Sequence, residues 1–200
     1  VYGTSRKQQP LDSSNTVQEY ASGFFKLIQL DVCSEESVKN AVEYVLEKEG
    51  TIDVLINNAG FGIAGSVEDT STEEAQKQFD TNFFGVHRMI RHILPVMRKN
   101  RKGIIINISS VAGIFSIPFQ SMYSASKYAL EAMSEALRVE VKPFGIKVVL
   151  VEPGDTRTEF TSRRQIVTAA GENSVYKESF ERSLNTMVRD EINGPEPDVV

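Results

Sequence analysis

"GIIINISS" (103–110) places Ile104, Ile105, Ile106 and Ile108 in one short run with no polar alternation. β-Branched side chains are stiff at χ1 and suit a strand. A strand that offers no solvent face has both faces covered, which is the pattern of a parallel sheet flanked by helices. The segments around it agree. "IDVLINNAG" (52–60) and "IKVVLVEPG" (146–154) are further apolar strands, each running into a turn of small residues, and "FFKLIQLDV" (24–32) is a fourth. Helical patterns separate them. "SEESVKNAVEYVLEKEG" (34–50) has Ser34 as cap, acids in its first turn and Gly50 as stop. A long helix spans Thr72 to about Lys99, with Pro95 as a kink near its end. Another runs from Tyr123 to Val141 and closes in "KPFG" with Gly145. Strands alternating with helices give an α/β fold, a Rossmann-like doubly wound parallel sheet. The reading is a single domain over 1–200, with 155–190 a substrate-side subregion of loop and amphipathic helix.

The 200 residues suffice for one domain with a core. A net charge of −5, with no Lys/Arg run, argues against a nucleic-acid surface. No apolar run approaches the ~18 residues of a membrane span, and no leader sequence is visible. The single cysteine, Cys33, excludes an internal disulfide and fits the reducing cytoplasm. As it follows a strand, it reads as a packed thiol. His87 and His92 lack partners at ligand spacing, so no metal site is expected. Glu131 and Glu135 fall on the solvated face of their helix or pair with Arg138. Phe83, Phe84, Phe115 and Phe119 read as core or interface.

Polar and glycine-rich elements cluster where strands end: Asp31, the Asn-Ala-Gly loop, Ser109-Ser110 and Pro153-Gly154. Ligands of open parallel sheets bind beyond those carboxyl ends. "YSASK" (123–127) adds Tyr123 and Lys127 at i and i+4, on one helix face. A cation beside a phenol favours phenolate, so the tyrosine pKa is expected to fall from about 10. That suits proton transfer near neutral pH.

"NNAG" (57–60), "NISS" ending at Ser110, "YSASK" and "EPG" (152–154) together resemble the short-chain dehydrogenase/reductase family, from Val1 to about Phe160. "PFQSMYSASKYALEAMSEAL" and "KPFGIKVVLVEPG" look most like its branch of 17-beta-hydroxysteroid dehydrogenases and carbonyl reductases. The resemblance implies an oxidoreductase that interconverts a ketone and a secondary alcohol. Tyr123 would be general acid, Lys127 would lower its pKa and bind the nicotinamide ribose, and Ser110 would polarise the carbonyl. Ser109 faces the other way, as adjacent strand residues do. Asn82 would hold a water that links Lys127 to solvent. For the cofactor, Asp31 and Val32 would meet the adenine edge, Asn58, Ala59 and Gly60 the adenosine ribose, and Pro153, Gly154, Thr156 and Thr158 the carboxamide. Thr156 stands where the family usually has a branched aliphatic residue, and Asp155 adds polarity beside it. At the end of "VYGT", Ser5 takes the place of the acid found in NAD-specific relatives. Arg6, with Lys7 after it, can hold a 2′-phosphate, which favours NADP(H) over NAD(H).

The family's first strand and its Thr-Gly-x-x-x-Gly-x-Gly turn should precede Val1, and another helix and strand should follow "PEPDVV". Without the first strand a sheet has two unpaired interior edges, so a longer chain is expected. Apolar Ile114, Phe115, Ile117 and Phe119 suit a lipid-like or aromatic ketone over a sugar. The alternatives are a 3-oxoacyl-carrier-protein reductase and a non-catalytic nucleotide-binding homologue. Apolar positions on several faces of the helices at 72–99 and 123–141 point to a homodimer or homotetramer.

Overall fold

The computed structural model describes residues 1–6, 17–20 and 23–199. At its centre β6 (Gly103–Ile108) lies between β4 (Val54–Asn57) and β7 (Ile146–Val151), parallel to both, in the order β4-β6-β7. A second sheet joins β1 (Tyr2–Ser5) in parallel to β3 (Gly23–Gln29), and β3 in antiparallel to β2 (Val17–Tyr20). Among the described residues β1 and β4 are not hydrogen-bonded to each other. The sheet is thus divided between β1 and β4, with an open edge on each part, as expected where the first strand is lacking. One core nevertheless spans both: Ile28 and Leu30 beside β1 cluster with Val38, Ile90, Ile93, Met97, Ile105 and Val148.

Helices α1 (Glu35–Glu49), α3 (Gly85–Asn100) and α4 (Ser121–Val141) supply the rest of that core. The caps of α1 are those read from sequence. Ser34 accepts from the Ser37 N–H, and Gly50, at φ 73°, occupies the left-handed stop where glycine carries no steric cost. On the central sheet, Leu55, Ile105 and Val148 face α3 and α4 and are buried. The opposite face differs from the expectation of full cover, because Val54, Ile56 and Val149 remain 48%, 59% and 40% exposed.

The long helix expected over 72–99 is broken. α2 (Thr72–Phe79) passes into a π-helical segment, Asp80–Phe84, before α3 begins. A π segment admits an extra residue into the helix and so re-aims the side chains on it. The residue re-aimed here is Asn82, which is 1% exposed. Pro95 does not end α3, which continues to Asn100 and stops at Arg101 in the left-handed region. Beyond β7 the expected loop and helix resolve into α5 (Phe160–Arg163), β8 (Gln165–Ile166) and α6 (Lys177–Ile192). β8 pairs with β5 (Ile63–Ala64), which pins the 160–168 segment beside the start of α4. Neither β2 nor the β5–β8 pair is marked in the sequence by more than a few residues.

Candidate active site

The end of β6 sets the geometry. Ile108 is its last residue, and its carbonyl accepts a hydrogen bond at 2.7 Å from Lys127 Nζ on the first turns of α4. Lys127 is 7% exposed, and its ammonium lies 5.8 Å from the Tyr123 ring centroid. Tyr123, one turn earlier, is also 7% exposed. Ser110 caps the short turn Val111–Gly113 in extended conformation, and the Ala112 N–H donates to its Oγ at 3.1 Å. The same hydroxyl reaches the Tyr123 phenol. Ser110, Tyr123 and Lys127 thus gather beyond the end of β6, with the ammonium on Ile108 O. Ser109 points away, with its Oγ buried against Gly113 and Glu131.

Asn82 completes a second layer. Its Nδ2 donates to Phe61 O at 3.0 Å and to Ser126 Oγ at 3.3 Å, while its Oδ1 accepts from the Phe61 N–H at 3.2 Å. It therefore ties the loop after β4 to the helix that carries Tyr123 and Lys127. Gly60 packs beside it, and a Cβ there would stand 3.3 Å from Asn82 Oδ1, so the amide would have to give slightly.

The electrostatics differ from the sequence expectation. Burial pushes the Tyr123 phenol above its usual range; Ser110 pulls it back, Glu191 pushes up and Arg164 pulls down. Lys127 has no part in that shift, and the expected lowering by its cation is reversed. Burial is the largest cause, and the ammonium is engaged by Ile108 O. Lys127 itself is held down to about 8 by burial, against the pull of the Glu131 carboxylate. Glu131 is not the solvated acid expected, because its Oε1 is buried and its pKa is raised, chiefly by burial. Arg138 turns its Nε to Val148 O at 3.0 Å.

The residues assigned to the cofactor fall at or just after the ends of β1, β3, β4 and β7. Val32 packs on Gly85, where a Cβ would approach within 2.8 Å, and its carbonyl accepts from Arg88 at 3.1 Å. Asp31 Oδ1 accepts from the Cys33 N–H at 2.9 Å, and the half-buried Cys33 thiol contacts Thr81. The end of β3 is thereby brought to the π segment that also holds Asn82. Asn58, Ala59 and Gly60 are exposed beyond β4. Ser5 ends β1, its carbonyl accepting from the Leu30 N–H at 2.9 Å, and Arg6 is exposed. Lys7 lies outside the described residues. Pro153 O accepts from the Val111 N–H at 3.1 Å, Gly154 faces open space, Thr156 Oγ1 donates to Gly154 O and Thr158 Oγ1 accepts from the Phe160 N–H. A nicotinamide nucleotide fits this set. Lys127 has spare N–H groups for ribose hydroxyls, and the backbone at 58–60 and 154 is open to close approach.

A family model described as short chain dehydrogenase matches residues 1–166. The chain belongs to that family. Across 98% of its length it is 49% identical to a 3-ketodihydrosphingosine reductase from Bacteroides thetaiotaomicron, of which it covers 70%. It is 45% identical to human retinol dehydrogenase 8 over 68% of its own length and 42% of that protein. A solved short-chain dehydrogenase from Streptomyces avermitilis superimposes at a TM-score of 0.75 with 39% identity, over 83% of this chain and 60% of that one. A metagenomic short-chain oxidoreductase in complex with NADP matches at 0.64 with 29% identity, over 69% and 63%. One from Burkholderia phymatum in complex with NAD matches at 0.74 with 26% identity, over 85% and 62%. The chain spans between 42% and 70% of the curated relatives named here.

Several residues of this short-chain dehydrogenase site were not found from sequence. Asn57 Nδ2 donates to Asn107 Oδ1 at 2.8 Å, Asn107 Nδ2 to Ser134 Oγ at 2.8 Å, and Ser134 Oγ to Leu130 O. This buried chain fixes α4 to two strands beneath Lys127. Its signal was present: a lone asparagine in each of two apolar strands, in register with each other. Phe160, Arg164 and Glu191 also come to Tyr123, and no local pattern in the sequence joins them.

The buried ammonium has a measurable consequence. Between about pH 8 and 10.5 the unfolded chain binds a proton at Lys127 that the folded chain does not. Stability relative to Lys127→Met should therefore rise with pH across that window, by about 3 kcal/mol in all. Urea unfolding of both proteins at several pH values checks this, and a pH-independent difference would contradict the buried charge.

Proposed function

We propose that the protein is an NADP(H)-dependent oxidoreductase interconverting an apolar ketone and its secondary alcohol. The observation that carries the reading is the gathering of the Ser110 hydroxyl, the Tyr123 phenol and the Lys127 ammonium beyond β6. A bound nicotinamide supplies or accepts the hydride. Ser110 orients the carbonyl by a hydrogen bond, and Tyr123 hands its proton to the oxygen as negative charge develops. The phenol, with its pKa raised by burial, holds the proton it would donate at neutral pH. Asn82, through Ser126, keeps α4 in place against the 58–61 loop.

The apolar substrate is supported by Ile114 and Phe115, both 56% exposed in the segment before Tyr123, and by relatives named for a sphingoid ketone and for retinol. The retinol dehydrogenase likeness also supports the hydroxysteroid-dehydrogenase side of the family. A 3-oxoacyl-carrier-protein reductase is the second reading, favoured by a Brucella melitensis enzyme of that name at a TM-score of 0.68 and 29% identity, over 70% of this chain and 59% of that one.

Tyr123→Phe in the intact protein should abolish turnover and retain NADPH binding. A residual rate above about a tenth of wild type, a loss under ~1.4 kcal/mol, would refute the proton-donor role. For the cofactor, the support is the absence of an acid at Ser5 and the exposed guanidinium of Arg6 at the β1 end. kcat/KM should favour NADPH over NADH, and Arg6→Ala should erode that preference; equal values for both cofactors in the wild type would overturn it. A homo-oligomer belongs to the same reading, supported by Phe84 and Tyr128 at 47% and 42% exposure beside α3 and on α4. Light scattering that returned a monomer mass at micromolar concentration would remove it.

A further inference from the structure

Beside Tyr123 lies a cation that the reaction described above does not use. Arg164 follows α5, and its side chain is only 2% exposed. One arm, Nη2, is paired with Glu191 of α6, whose other oxygen accepts from Thr161 Oγ1 at 2.7 Å. The rest of the fork is unused, since neither Nε nor Nη1 has a hydrogen-bond partner although both are buried. A pair that merely tied the loop to α6 would need one arm. Burying further donors of a charged group without acceptors costs ~1–3 kcal/mol each or more.

Position gives those donors a meaning. The guanidinium carbon is 5.8 Å from the Phe160 ring centroid, and Phe160 lies 5.4 Å from the Tyr123 ring. One aromatic ring thus separates Arg164 from the proton donor. A Cβ on Gly62 would meet Phe160 at 2.8 Å, so that ring is held on its far side as well. The carboxyl of Asp155, in the turn after β7, also senses the Arg164 charge.

We propose that Arg164 is a substrate-recognition residue, one of whose free donors, Nε or Nη1, gives a hydrogen bond to an oxygen carried on the substrate next to the ketone. The assignment rests on the ketone-reductase reading and narrows it. The substrate is an apolar ketone with a neighbouring oxygen acceptor, either a hydroxyl on the adjacent carbon branch or the carbonyl of a 3-oxoacyl thioester. A site built to hydrogen-bond an oxygen discriminates against the analogue that lacks it, because its buried donors then stay unmet.

The test uses the intact protein, with Arg164→Met and Arg164→Lys, and three ketones of one chain length. These are a plain methyl ketone, the same ketone bearing a hydroxymethyl group on the adjacent carbon, and the 3-oxoacyl thioester. Arg164→Met should lose about tenfold or more in kcat/KM, ~1.4 kcal/mol, on one oxygen-bearing ketone, and that ketone identifies the source of the oxygen. The plain ketone, which shares any effect of Arg164 on Tyr123, should lose several-fold less, and NADPH affinity read by fluorescence should hold. Arg164→Lys keeps the charge without the fork and should lose part of the same selectivity; it carries the test if the methionine variant does not fold. An equal loss on all three ketones, or a loss of NADPH affinity, overturns the assignment and leaves the ketone-reductase reading standing. A wild-type protein that reduces none of the three overturns both.

Discussion

A single backbone carbonyl, that of Ile108, anchors the chemistry of this molecule. It closes the central strand and accepts from the buried Lys127 ammonium. A charge in that place is costly unless it is hydrogen-bonded, and the cost is visible in a lysine pKa lowered to about 8. The surrounding structure is arranged to bear it. β6 is fixed by parallel pairing on both sides, and the Asn57–Asn107–Ser134 chain ties α4 to the strands from below. Asn82 ties α4 to the loop after β4 from the other side. Removing any of these anchors would let the helix carrying Tyr123 and Lys127 shift relative to Ser110.

The strands and helices that build this frame were legible because their signals are local. Ile104 to Ile108 announce a strand with no solvent face, and Ser34 with Gly50 marks both ends of α1. The central residues of the site were legible for a different reason: Ser110, Tyr123 and Lys127 sit in short ordered motifs that survive outside their three-dimensional context. The π segment was not legible. Nothing in "FDTNFFGV" breaks the helical pattern, and the segment is held by distant contacts, chiefly those of Asn82 with Phe61 and Ser126. Such contacts lie many residues away in sequence. The same holds for Arg164 and Glu191, which meet only because β8 pairs with β5 and α6 packs back on the loop.

The direction of the tyrosine shift shows where sequence reasoning about charge reaches its limit. Spacing of i and i+4 places Tyr123 and Lys127 on one helix face, and it does so here. It does not say where each head points. The ammonium turns to Ile108 O, and the phenol meets Ser110 within a buried pocket. Desolvation then outweighs the lysine field, because an aromatic alcohol removed from water resists ionisation whatever stands on its flank. Glu131 illustrates the same limit. One turn after Lys127 it looked like a solvated acid, yet Gly113 packs over it and its carboxylate becomes the charge that supports the lysine.

The divided sheet bears on the site through the same constraint. Among the described residues β1 and β3 meet the catalytic side through the shared core and through the π segment: Val32 seats on Gly85, its carbonyl takes Arg88, and Arg88 in turn pairs with Asp80 at 2.6 Å. Backbone ladders transmit position stiffly, whereas side-chain contacts of this kind have more freedom. Among the described residues these contacts link the residues at Ser5, Arg6, Asp31 and Val32 to those at Ser110, Tyr123 and Lys127, and the edges of β1 and β4 are open where the family resemblance places one more strand. A dinucleotide long enough to reach both groups of residues would contact them at once. Binding energy from the adenosine end would then serve to fix the nicotinamide end against Tyr123, which couples nucleotide recognition to the chemistry it positions.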